Sequence, residues 1–140
     1  GKFVLYTHMA TDARKSAGVE LSESRFKGAQ EAKKRAQVMN LVHPRRVLSL
    51  IHEDMTQVDL SDATIIFMCS TCFSDTLMQK MVDKFVTLKP GLQIVTLERL
   101  PEHPRLEAVH ETHLPTSWSN NSPFYFYKLL LEPKKEKDRE

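Results

Sequence analysis

Cysteine is nearly absent from this chain. Two residues in 140 cannot make a disulfide scaffold, and with six methionines they suit a reducing, intracellular compartment, nuclear or cytoplasmic being left open. Net charge is also small, at +2, so the chain as a whole gives no electrostatic case for nucleic acid or an anionic membrane. Long apolar runs are missing too. Those present are strand-length, which leaves no transmembrane helix or signal peptide in view. No internal repeat and no low-complexity linker appears. What remains, 41% hydrophobic and 27% charged, suits one globular domain with an ordinary core.

One absence is local. The chain opens as "GKFVLYTHMA", already in a helical pattern and without a starting methionine, as if a domain had been cut open. The pattern predicts a short helix over 2–10 after Gly1, with Phe3, Val4, Leu5 and Met9 supplying apolar surface. A short buried strand follows at 17–21, and Ser22 then N-caps a helix of good formers, with Phe26, Ala29, Ala36 and Val38 on or near its apolar stripe and Asn40 near its end. "VLSLIHEDM" is a second strand ending on acids. "DATIIFMCS" is a third, apolar throughout, as for a strand covered on both faces. "SDTLMQKMVDKFVTLKPG" is an amphipathic helix closed by Pro90 and Gly91, and "LQIVTLERL" is a fourth strand. From Pro101 onward, prolines, polar turns and two β-prone runs without a helix between them predict an antiparallel hairpin. The organisation expected is one domain over 1–132 and a disordered, charged tail over 133–140. A helix, three βα-type steps and a terminal hairpin imply an α/β fold with a mostly parallel sheet.

The stretch "KSAGVELSESR" carries the first functional signal. An apolar strand ends on Glu20 and runs straight into a capped helix. Strand C-termini are where open α/β sheets bind ligands, and an acid there, about one βα unit after a glycine, is a familiar holder of ribose hydroxyls. Taken alone, Glu20 and Asp54 are each ordinary surface acids. Both at strand C-termini, separated by one helix and one strand, they point to a cofactor.

The order of elements resembles the Rossmann-like fold of class I S-adenosylmethionine-dependent methyltransferases. In that superfamily the first strand ends in D-x-G-x-G-x-G, of which this chain would keep only Gly1, with Lys2 opening the helix behind it. The first strand, central in the class I order between the strands at 17–21 and 62–69, is therefore expected to be lacking here. Within the superfamily, "GVELSESR", "DATIIFMCSTCFSDTLMQKMVDKFVTLKPGLQIVTLERLP" and "SWSNNSPFYFYKLLL" resemble blocks of the non-SET histone lysine methyltransferases, the disruptor-of-telomeric-silencing family. The resemblance spans almost the whole chain.

What it implies is a transferase that methylates a protein lysine with S-adenosyl-L-methionine as cofactor. Glu20, with Leu21 beside it, would receive the ribose hydroxyls. Asp54 would face the adenine amino group, with the Met55 backbone near the ring. Gly1, Lys2 and Cys69 complete the cofactor set, while Ser70, Thr71, Phe126 and Tyr127 would line the substrate channel. Cys69, Ser70 and Thr71 stand where the family has Asn-Asn-Phe, so the protein partner is left open between a histone and another lysine-containing protein. No membrane partner is implied, and this segment indicates no nucleic acid. A sulfonium methyl is already a strong electrophile, so the protein need only align a neutral amine, exclude water and stabilise charge flow. No catalytic acid or base is assigned.

Rival readings have their own residues. "CSTC" at 69–72, after an apolar strand and before a helix, is the arrangement of a thioredoxin-like thiol-disulfide oxidoreductase. Against it, no aromatic or Gly-Pro surrounds the pair. Zinc on Cys69, Cys72, His110 and His113 fits no common spacing, so no metal site is expected. A methyltransferase fold without catalysis, serving as an interaction domain, is the third reading. Trp118 is expected to pack a loop, and the other histidines suggest nothing.

Overall fold

The computed structural model describes residues 1–135, and the chain divides into two compact units, Gly1–Val58 and Asp59 onward. In the first unit, α1 (Lys2–Ala10) starts at Gly1 without a side-chain cap, β1 spans Lys15–Glu20, α2 spans Glu23–Val38 and β2 spans Val47–His52. Two parallel strands make its sheet, in register from Lys15 opposite Val47 to Glu20 opposite His52. Gly18 lets α1 approach β1, because a Cβ there would stand 2.4 Å from Val4 Cγ2. Ser16 Oγ donates to the Val4 carbonyl at 2.9 Å and fastens the same contact.

The ends of α2 follow from its sequence. Ser22 Oγ accepts the Arg25 amide, Glu23 sits in the first turn, and Arg35 lies in the last, each sign matching the helix dipole. At the other end Asn40 takes the left-handed conformation at φ 58°, the Leu41 amide reaches back to Ala36 O and the Asn40 amide to Gln37 O. That pairing is a Schellman closure, which asparagine tolerates because its short polar side chain suits the left-handed region. The expected apolar stripe is only partly used. Ala29 and Ala36 are buried, whereas Val38 is 84% exposed because the helix ends there.

The core of this unit is small, with Leu5, Ala36 and Leu48 at its centre. His8, to which the sequence reading gave no role, is fully buried beside it. Its Nε2 accepts the His43 amide at 2.9 Å, while Nδ1 has no partner among the described residues. Burial first, then the charges of Arg46 and His43, hold the imidazole below its ordinary value of 6.5. The folded unit therefore keeps His8 neutral. Its contribution to stability is complete above the unfolded value and is lost as pH falls below it, because only the unfolded chain takes the proton. Urea midpoints should drop between about pH 7.5 and about pH 5.5, and His8→Gln should flatten that slope. An equal slope in the variant would assign the effect elsewhere.

The second unit holds β3 (Ile65–Met68), α3 (Asp75–Phe85), β4 (Gln93–Thr96), β5 (Leu106–Leu114) and β6 (Ser122–Leu129). Its sheet runs β3-β4-β6-β5, with β3 and β4 parallel and β6 antiparallel to both its neighbours. The expected hairpin is thus present, with its last strand inside and β5 at the edge. The β5–β6 register shifts between Ala108 and His110. Ser74 caps α3, which buries Met78, Met81, Val82 and Phe85, and Leu92, Ile94, Leu97 and Leu129 complete the core. Gly91, at φ 91°, makes the turn that seats the Leu92 end of β4, its amide donating to Leu129 O at 2.8 Å.

Two expectations need correcting. Only two of the three βα-type steps contain a helix, since β2 leads to β3 through hydrogen-bonded turns closed by Asp54 and Leu60 carbonyls. The third strand is not covered on both faces among the described residues, for only Met68 of β3 is buried and Ile65 is 65% exposed. Trp118, expected to pack a loop, is 59% exposed. Of the expected tail, the Lys134 amide donates to Pro104 O and its ammonium meets Glu107 at 3.1 Å, while 136–140 lie outside the described residues.

Candidate functional site

Parallel pairing brings both acids of the first unit to one end of its sheet. Glu20 closes β1 opposite His52, the Glu53 amide extends the pairing to Glu20 O at 3.2 Å, and Asp54 follows. Glu20 is half-buried, and its Oε1 accepts the Ser22 amide at 3.0 Å. The turn into α2 therefore holds the carboxylate in place, and its other oxygen has no partner among the described residues. His52 braces the same turn. Its Nε2 lies 3.0 Å from Leu21 O and its ring stacks on Phe26 at 5.0 Å between centroids. Sequence reasoning missed His52. The only signal was its register, one strand over from Glu20.

Asp54 Oδ1 accepts both the amide and the hydroxyl of Thr56 at 2.8 Å, fixing the turn that carries Met55. Leu21 is 68% exposed. Gly1 and Lys2 open α1, and Gly1 is required by packing, since a Cβ there would lie 2.6 Å from Ala29 Cβ of α2. These residues suit an S-adenosyl cofactor by their chemistry: a positioned carboxylate for a vicinal diol, a second acid beside a backbone edge, and an uncapped helix N-terminus for a carboxylate.

In the second unit the loops after β3 and β4 leave the same end of the sheet. Cys69 and Thr71 are exposed, and Ser70 is buried. Both cysteines are free, and no group of three or more metal-ligating side chains occurs among the described residues. The two loops, with the start of α3, line a cleft of about 330 Å³ walled by Thr71, Phe73, Asp75, Met78 and Glu98–Pro101. Three buried side chains hold its rim. Ser70 Oγ accepts the Glu98 amide at 3.2 Å, Thr96 Oγ1 donates to Glu98 O at 2.6 Å, and Tyr127 OH accepts the Leu100 amide at 3.0 Å. Burial pushes the Tyr127 phenol above its ordinary value, outweighing the Leu100 hydrogen bond and the Arg99 charge.

Phe126 and Tyr127 are not brought together. As neighbours on β6 they take opposite faces, and Phe126 packs against His110 at 5.4 Å while Tyr127 is buried beneath the rim.

Among the described residues no helix is long and apolar enough to cross a membrane. Among curated proteins none matches this chain. Solved structures do. A methylase by assignment from Haemophilus influenzae aligns with a TM-score of 0.58 and 15% identity over 84% of this chain and 74% of its own. An S-adenosylmethionine-dependent methyltransferase from Methanosarcina mazei gives 0.59 and 13% over 84% and 83%. A protein of Streptococcus pneumoniae assigned as a tRNA (m1A22) methyltransferase gives 0.59 and 9% over 96% of this chain and 62% of its own. The α/β fold with mixed sheets is thus that of class I methyltransferases. The model of one family, histone methylation protein DOT1, matches residues 1–120, and this chain belongs to that family.

Proposed function

We propose that this protein is an S-adenosylmethionine-dependent methyltransferase acting on a protein lysine. The observation that carries the reading is Glu20 at the C-terminus of β1, one carboxylate oxygen held by the Ser22 amide and the other open to a ribose. When bound, the cofactor supplies a methyl group on a sulfonium, a leaving group strong enough that no protein base is needed. Glu20 holds the ribose, Asp54 and the Met55 backbone take the adenine edge, and Gly1 and Lys2 at the start of α1 attract the cofactor's carboxylate. Cys69 belongs to the cofactor set, and Ser70 and Thr71 to the acceptor side with Phe126. Tyr127 serves there by holding the cleft rim. An apolar surround favours a neutral lysine, the form that accepts a methyl group.

The class I strand order adds one structural proposal. β1 and β3 each end a sheet, and each takes a further strand in the active protein.

Transfer of labelled methyl from S-adenosylmethionine tests the reading, with core histones and transfer RNA offered in parallel. Label on histone lysine is expected. Label on RNA, the substrate class of the pneumococcal neighbour, would overturn the lysine assignment.

A further inference from the structure

No ionisable side chain among the described residues lies deeper than His8, at 0% exposed. As a space-filler it is a poor choice. Its Nδ1 meets no partner among the described residues, and a buried polar atom left unpaired costs stability that an apolar side chain would not. The other ring nitrogen shows what the histidine does. Nε2 receives the His43 amide from 35 residues away at 2.9 Å, so it keeps its lone pair and the neutral ring carries its proton on Nδ1. This contact lasts only while the ring is neutral. Imidazolium is a donor at both nitrogens, and its Nε2–H would face an N–H.

Further contacts follow from this one along the chain. The Arg46 amide donates to His43 O at 3.4 Å, Arg46 Nη1 reaches the Thr11 and Ala13 carbonyls, and the Val47 amide donates to Arg14 O at 2.8 Å, where β1 and β2 begin to pair. Segment 43–47 thereby closes over the end of α1 and the turn after it. The charges that act on His8 come from this segment, Arg46 and His43, and both oppose a positive ring. From α1, β1 and α2 no carboxylate offsets them among the described residues. Midway along α1, Ser16 Oγ ties Val4 O to β1, and at its far end stand Gly1 and Lys2, assigned above to the cofactor's carboxylate.

Resting on the reading above, we infer that His8 is a proton-operated latch on α1 and, through α1, on cofactor binding. Neutral, it holds segment 43–47 shut over the end of the helix. Protonated, it drives the His43 amide off, and α1 loosens from the sheet on which it must lie to present Gly1 and Lys2. The sign follows from burial. The closed form resists the proton and the opened form takes it at the ordinary value of 6.5, so opening is favoured as pH falls below that value. A single proton limits the change in the opening equilibrium to at most ~tenfold between about pH 7.5 and about pH 5.5.

Ring-nitrogen NMR of the unsubstituted protein tests the latch. At about pH 7.5 His8 should be the Nδ1–H tautomer, and when the ring takes up its second proton the amide resonances of residues 11–14 and 47 should move with it. His8→Gln offers an amide oxygen to the His43 amide but takes no proton, and in it that movement should be lost. A ring that carries its proton on Nε2 at about pH 7.5, or that becomes imidazolium while those amides stay still, overturns the latch without any substitution. Calorimetry against pH reads the coupling. Affinity for S-adenosylhomocysteine should fall by up to ~tenfold between about pH 7.5 and about pH 5.5, and His8→Gln should remove most of that fall, other groups at the site acting alike in both proteins. An equal fall in both overturns the coupling of His8 to the cofactor. No binding of S-adenosylhomocysteine at any pH, with ring and amides behaving as described, leaves the latch standing and sinks the functional reading alone.

Discussion

Glu20→Ala is expected to weaken S-adenosylhomocysteine binding at least ~tenfold relative to the unsubstituted protein. Two ribose hydroxyls lose their charged acceptor, a loss of roughly 1.5–3 kcal/mol. The same change frees the Ser22 amide, which Glu20 Oε1 accepts at the start of α2. Glu20→Gln separates the two effects, since its amide oxygen still accepts Ser22 while the charge is gone. Calorimetry should therefore rank the affinities unsubstituted, Gln, Ala, with circular dichroism unchanged for Gln. If neither substitution alters the affinity, Glu20 does not touch the cofactor and its assignment falls.

The ends of α2 were legible because their cause is local. Ser22 caps α2 through an amide three residues away, and Asn40 closes it through backbone bonds spanning five. Periodicity and capping chemistry read such features directly. The hairpin was equally plain, because two β-prone runs with polar turns leave no other pairing. What the sequence hid depends on contacts between distant segments. His8 meets the His43 amide 35 residues away, and Tyr127 meets Leu100 across 27. Nothing in the local pattern of "YTHMA" or "FYFYK" marks either side chain as buried and polar. Tyr127 and Phe126 read as a pair of channel walls for the same reason. Aromatic content is visible in a sequence, but which face a strand gives to its core is set by register, here Ile94 opposite Tyr127. The cleft was missed because its walls come from loops that follow two parallel strands, and only the β3–β4 pairing makes them neighbours.

The largest effect expected on the fold concerns β1 and β2. Two parallel strands of six residues are a minimal sheet, and sheets generally need a third strand or a well-packed face to stand alone. The packed face is slight. Leu5, Ala36 and Leu48 are its buried centre, and among the strand residues only Ser16 and Leu48 are buried. The second unit differs, with Val82, Phe85, Ile94 and Leu129 at 0% exposure around a four-stranded sheet. Opening free energies should follow these cores. In a sample of residues 1–140 alone, amide exchange should be slow in β4 and β6 and close to unprotected in β1 and β2. Adding S-adenosylhomocysteine should slow exchange in β1 and β2, because Glu20 and Asp54 stand at their ends, and leave β4 and β6 unchanged. The edges of β1 and β3 should also drive self-association, for among the described residues each strand ends its sheet, with Val47 and Ile65 exposed nearby. Light scattering would register that as species larger than the monomer. A strict monomer whose β1 and β2 amides are as protected as those of β4 without ligand would show that the two-stranded sheet is complete, and that neither edge awaits another strand.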